Sequence, residues 1–207
     1  MYAQRQLQAL DLARRAYAAG ARTSTVALLT GLHRKVLCRH FALGARAGAG
    51  PGKRPYSSPE RFVKIATLAT MVDASLAYAM YRDHCERWPQ PAEALVTSYE
   101  YYAQRRAPCE LPFDRVFYLV CWTDRLWAWT GRDAIFRLTT CTRCHCRYLA
   151  APAIIDDHER ECPFCKVQVR YWRDPRIQSR FPEREYPQIA AALAGVMTSL
   201  RLPADSA

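Results

Sequence analysis

Apolar positions recur at three- and four-residue steps through most of the chain, and the pattern shortens near residue 134. Leu7, Leu10, Ala13, Arg14 and Tyr17 trace a helix from Leu7 to Ala19 that ends at Gly20. Thr23 opens a short helix to Leu29, Thr30-Gly31-Leu32 reads as a tight turn, and a second helix follows from about His33 to Leu43. Residues 44–58 are a basic, glycine-rich loop. A cap at Ser57 or Ser58, with Pro59 in the first turn, starts a long helix to Cys85. Trp88-Pro89-Gln90-Pro91 breaks it, a helix from Ala92 to Arg106 follows, and Asp114 caps another that Gly131 stops after Thr130. Beyond Ala134, the short stretches at Ile135, Tyr148 and Val167–Tyr171 read as strands beside cysteine pairs. A late helix is expected over Gln188–Leu200. No internal repeat is visible. The expected fold is mainly α: a helical body over 1–133, a small zinc-ribbon-like module over 134–175, and a loose tail over 176–207.

Residues 23–43 have the spacing of a helix-turn-helix. Ala27 sits where two helices press together, Gly31 suits a left-handed turn, and Val26, Leu29, Leu32, Leu37 and Phe41 form a shared apolar seam. On the second helix Lys35 and Arg39 are four apart and point away from that seam. Like charges at this spacing cost a few tenths of a kcal/mol unless an anion faces them. His33 and Arg34 begin the helix, where recognition helices meet base edges. A plain inter-helix turn in a bundle is the rival reading of Gly31.

Charge sharpens the choice. The chain has 207 residues with 30 Lys+Arg against 19 Asp+Glu, a net charge of +11. Residues 1–64 hold 12 basic and 2 acidic side chains, whereas 65–136 hold 7 and 9, so the excess is concentrated at the amino-terminal end. Such a concentration marks a surface for a polyanion. Arg34, Lys35 and Arg39 are the expected base or phosphate contacts, His33 joins them at the helix start, and Lys53 and Arg54 contact from the loop. A solvated basic surface is the bland alternative. No apolar run is long enough for a membrane span, and no secretory leader is seen, so a cytoplasmic protein is expected.

Nine cysteines are an odd count for a disulfide framework. Cys141-x2-Cys144 and Cys162-x2-Cys165, separated by seventeen residues, have the spacing of paired structural-zinc knuckles. Each two-residue gap lets both sulfurs reach one ion, and two such turns close a tetrahedron around one Zn²⁺. Arg143, Arg147, Lys166 and Arg170 lie near enough in sequence to balance its negative charge. His145, Cys146 and His158 compete as alternative ligands, and an iron–sulfur cluster is the rival cofactor.

Catalysis finds little support. Cys38 with His40, and His84 with Cys85, are not placed for proton transfer on a helix. The aromatic run Tyr99, Tyr101, Tyr102, Phe113, Phe117, Tyr118, Trp122, Trp127 and Trp129 lies in an acidic stretch and suits a core or an interface better than base stacking. Asp156, Asp157 and Glu159 are the one crowd of carboxylates that metal-assisted phosphoryl chemistry could use. The expectation is a non-enzyme.

Taken in order, the helix ending Gly20-Ala21-Arg22, the helix-turn-helix, the Gly52-x-x-Pro55-Tyr56-Ser57 loop, Asp114-Arg115, Leu138-Thr139-Thr140-Cys141-x2-Cys144 and Cys162-Pro163-Phe164-Cys165 resemble the FlhC family, the DNA-contacting subunit of the bacterial flagellar master regulator. The likeness covers roughly residues 7–180. It departs where His145 and Cys146 crowd the first knuckle, in the composition of residues 44–55, and beyond Arg180. The resemblance implies a transcriptional activator that assembles with FlhD, as four FlhD and two FlhC chains, binds and bends promoter DNA ahead of flagellar operons, and recruits σ70 RNA polymerase. It also implies Cys141, Cys144, Cys162 and Cys165 as ligands of one structural Zn²⁺. A zinc-stabilised protein-interaction scaffold without direct DNA readout is the alternative.

Overall fold

The computed structural model describes residues 2–41, 58–106, 111–127, 131, 133–152 and 161–182. The glycine-rich loop with Lys53 and Arg54, His158, Trp129 and the expected late helix over 188–200 lie outside the described residues.

The amino-terminal part is built from three helices: α1 (Tyr2–Ala18), α2 (Thr23–Thr30) and α3 (Arg34–Phe41). Leu12, Ala13 and Ala16 of α1 are buried beside Val26 and Leu29 of α2 and Leu37 of α3, as the apolar period requires. Gly20 and Gly31 end the first two helices with positive φ, +84° and +68°, a conformation in which a side chain would be strained.

The expected long helix over 59–85 is two helices, α4 (Pro59–Ile65) and α5 (Leu68–Cys85). Ser58 caps α4 by accepting from the Arg61 N–H, with Pro59 in its first turn. Ala66 turns to extended backbone, and the Thr67 hydroxyl accepts from the Thr70 N–H at 3.1 Å, so a fresh N-cap restarts the chain as α5. α6 (Pro91–Arg105) begins where the proline pair predicts. α7 (Phe113–Asp124) stops six residues before the expected end: Arg125 takes the left-handed conformation at φ 57°, ending the helix without the glycine at 131.

The interior is aromatic. Tyr99, Tyr102, Phe113, Phe117 and Trp122 are buried, which places most of the aromatic run in the core. Arg15 of α1 reaches across to Glu93, Thr97 and Glu100 of α6, the last at 2.6 Å, and the nearby carboxylates raise its pKa. Buried Asp73 of α5 accepts from Arg106 at the end of α6 at 2.8 Å, so the charge carried into the core is paired.

β1 (Arg137–Thr140) and β2 (Arg147–Ala150) form a two-stranded antiparallel hairpin in which Leu138 faces Leu149 and Thr140 faces Arg147. The hairpin shares the helical core. Phe136 packs against Phe62 and Trp122, both with ring centroids 6.0 Å away, and the Leu149 N–H donates to the Ser75 hydroxyl of α5 at 3.1 Å. Two compact units divide the chain after Val169.

One expected strand is absent. Val167–Tyr171 is not extended; α8 (Pro163–Arg170) runs through it. The second cysteine pair therefore occupies the first turn of a helix, not a second hairpin as a ribbon would have it. Pro163 suits the first helical position, and the free N–H groups there favour a thiolate at Cys162. The second unit begins at Arg170 and contains a 3-10 turn, Tyr171–Arg173, followed by α9 (Pro175–Arg180).

Candidate functional site

The four cysteines meet from two local structures. Cys141 and Cys144 lie on the tight connection between β1 and β2, where the Cys141 N–H donates to the Cys146 carbonyl and the His145 N–H to the Cys141 carbonyl, both at 3.0 Å. His145 takes φ 57° to turn the chain back into β2. The Arg143 N–H donates to the Cys141 sulfur at 3.4 Å. Cys162 immediately precedes α8, Cys165 lies in its first turn, and the Lys166 N–H donates to the Cys162 carbonyl at 3.0 Å.

All four sulfurs lie within 4.8 Å of one another. Cys141 to Cys165 and Cys144 to Cys162 are each 3.7 Å sulfur to sulfur. Neither pair is a disulfide, whose sulfurs stand about 2.05 Å apart. A tetrahedron of thiolates around zinc, with Zn–S near 2.3 Å, has edges of about 3.8 Å. The cluster therefore fits a metal ion such as zinc, and four protein ligands fill the tetrahedron, the mark of a structural rather than a catalytic site.

Electrostatics divides the cluster by pair. The Cys146 N–H, donating to Cys144, lowers that thiol to about 6, and the N–H groups of Cys144 and Arg143 lower Cys141. Burial holds the Cys162 thiol up at about 11, and the Cys144 sulfur beside it, with burial, holds Cys165 at about 12. Metal binding must therefore expel protons from the helical pair. Of the competing ligands, His145 and Cys146 are exposed and stand outside the cluster of four. The expected charge balance is also rearranged. Arg147 holds both oxygens of Asp83 at 2.7 and 2.8 Å, and Lys166 pairs with Glu161 at 3.4 Å. Arg147 so fastens β2 to α5 instead of facing the sulfurs.

The other expected site lies on α2 and α3. The Gly31 N–H donates to the Ala27 carbonyl at 2.9 Å, and the Thr30 hydroxyl accepts from the Leu32 N–H at 3.2 Å, which closes the turn. Leu37 is buried, and Phe41 packs on Tyr17 of α1 with ring centroids 5.2 Å apart. His33, Arg34, Lys35 and Arg39 are all exposed. The His33 Nδ1 accepts from the Lys35 N–H at 3.2 Å, so this ring caps α3, a role the sequence reading did not assign it. Arg34, Lys35 and Arg39 make no ion pair among the described residues, although Arg15, Arg22, Arg106 and Arg147 all do.

The sequence pattern places Asp114 as the cap of its own helix, but the structure gives it a different partner. Pro112 is the N-cap of α7, and the buried Asp114 carboxylate reaches α2. It accepts from the Thr25 hydroxyl at 2.7 Å and from the Arg22 N–H at 3.2 Å, and pairs with the Arg22 guanidinium at 3.2 Å. An acid at a helix start satisfies orphan N–H groups and suits the dipole. Here it does so across 92 residues and ties the α2–α3 pair to the aromatic core. Local periodicity carries no signal of this contact.

Among the described residues no helix is long and apolar enough to cross a membrane. Compared with protein-family models and with curated proteins, the chain matches none of either.

Proposed function

We propose that this chain is a DNA-binding regulatory subunit in which the α2–α3 pair acts as a helix-turn-helix and the four cysteines hold one structural zinc ion. The observation that carries the reading is the exposed face of α3. Arg34, Lys35 and Arg39 make no ion pair among the described residues, on a helix pair anchored to the core by Asp114, within a stretch that carries most of the chain's net charge. Three exposed cations that make no ion pair among the described residues favour a polyanion, and a phosphate backbone supplies one. Zinc would be held by Cys141, Cys144, Cys162 and Cys165, where it would join the hairpin to α8 and supply folding energy, about 10–16 kcal/mol in small zinc modules.

The order of motifs, with its resemblance to FlhC, gives the reading its biological form. The chain would act in the cytoplasm as an activator of flagellar operons, in a hetero-oligomer of four FlhD and two FlhC chains that recruits σ70 RNA polymerase by protein contact and without catalysis. Co-expression with an FlhD protein, followed by measurement of zinc content and of promoter-fragment binding across salt, tests both parts. The expected result is one zinc per chain and an affinity that falls steeply with salt; a co-purified complex that ignores promoter fragments in dilute buffer rejects the DNA-binding reading.

A further inference from the structure

We infer a second DNA contact in the carboxy-terminal unit, formed by Arg170, Arg173 and Arg176 around the exposed ring of Trp172. The inference rests on the DNA-binding reading above and uses residues that reading leaves aside.

Trp172 is 77% exposed, and within residues 170–182 it is the one exposed large hydrophobic side chain. Indole is costly to leave in water and is enriched where it meets a partner. Its surroundings state the partner's charge. Residues 170–182 contain four arginines and a single acid, Asp174, with no lysine or glutamate. Arg170, Arg173 and Arg176 are exposed and form no ion pair among the described residues.

Asp174 is the single acid set against these four arginines. Its carboxylate accepts from the Arg176 N–H at 3.0 Å and caps α9. Arg170 immediately precedes the 3-10 turn Tyr171–Arg173 and Arg173 closes it, so both cations fall within one turn of chain. Like charges this near in sequence repel one another less once an anion binds beside them. Guanidinium forks match phosphate oxygens geometrically, and an aromatic ring among them adds contact with sugar or base surface. A lipid surface suits the segment less well, because interfacial helices need an apolar stripe, and within residues 170–182 the exposed Trp172 ring, packed edge-on against Tyr171 at 5.3 Å, is set among arginines.

The test uses the full-length chain co-expressed as above, with a duplex promoter fragment titrated from 50 to 300 mM salt. Two variants are compared with wild type and with Arg34→Gln/Lys35→Gln/Arg39→Gln, each checked for wild-type zinc content and melting. The triple variant Arg170→Gln/Arg173→Gln/Arg176→Gln should reduce the slope of log K against log salt by about 2 to 3, near 0.9 per phosphate lost. Trp172→Ala should weaken binding about ten-fold and leave the slope unchanged, since an indole releases no counterion. If both carboxy-terminal variants bind as wild type while the α3 variant loses slope, this contact is rejected and the α3 site stands. If wild type itself ignores DNA at 50 mM salt, both readings fail. Phosphatidylglycerol vesicles serve as the competing anion: binding to them that the carboxy-terminal variants abolish, with DNA affinity unaltered, assigns the patch to lipid and overturns the inference.

Discussion

Single residues decide how the basic helix pair is held. Gly31 sits at φ +68° with no atom within 4 Å of where a Cβ would fall, so the need for glycine is conformational and not steric. Gly31→Ala should cost about 1 kcal/mol through left-handed strain, a fall in melting temperature of about 2–4 °C for a chain of this size. Asp114 matters more. Asp114→Ala removes the acceptor of the Thr25 hydroxyl and the Arg22 N–H, together with the ion pair to the Arg22 guanidinium. Because Arg22 keeps some solvent contact, a loss of about 2–3 kcal/mol in urea unfolding is expected, short of the full cost of breaking a wholly buried pair. Wild-type stability in that variant would show that the contact is incidental. Gly31 was legible in the sequence because a turn is chemistry between neighbours. The partner of Asp114 was not, because it lies on another helix.

At the scale of elements, among the described residues the hairpin and α8 share a small cluster in which Tyr148 and Phe164 pack around the four cysteines. An ion held by those sulfurs would tie the two elements together. Cys162→Ser should reduce zinc from one per chain to none and expose the hairpin–α8 region to proteolysis, while the α1–α7 core, with its own aromatic packing, keeps most of its helical circular dichroism. Retained zinc with an unchanged cooperative melt would remove Cys162 from the ligand set. The pairing of the cysteines was visible from spacing alone, whereas their local setting was not. Val167, Val169 and Tyr171 alternate as a strand would, yet Pro163 at a helix start and the affinity of free N–H groups for a thiolate favour α8. Likewise, Thr67 restarts a helix that periodicity runs together, since a cap bends the axis without disturbing the apolar period.

For the whole molecule, the distribution of paired and unpaired cations separates structure from function. Arg15, Arg106 and Arg147 connect helices and strand to acidic partners, and substitution there should alter stability. Arg34, Lys35 and Arg39 connect nothing within the described residues. Arg39→Ala should leave the melting temperature within about 1 °C and lower the salt slope of DNA binding by about one. A large loss of stability with an unchanged slope would instead make Arg39 a structural residue. The acidic 65–136 stretch fits the same division: many of its carboxylates, among them Asp73, Asp83, Glu93, Glu100 and Asp114, face arginines inside the fold.

The sequence by itself determined the turns at Gly20 and Gly31, the helices they join in the amino-terminal body, and the spacing by which four sulfurs can share an ion. Those properties arise between residues a few positions apart, through backbone conformation, capping and the reach of a two-residue gap. Tertiary structure alone decided that Asp114 holds α2, that the hairpin belongs to the helical core through Phe136 and Leu149, and which arginines pair with acids brought from distant segments. Burial and charge pairing depend on what folding brings alongside a residue, and distant segments meet only once the core has formed.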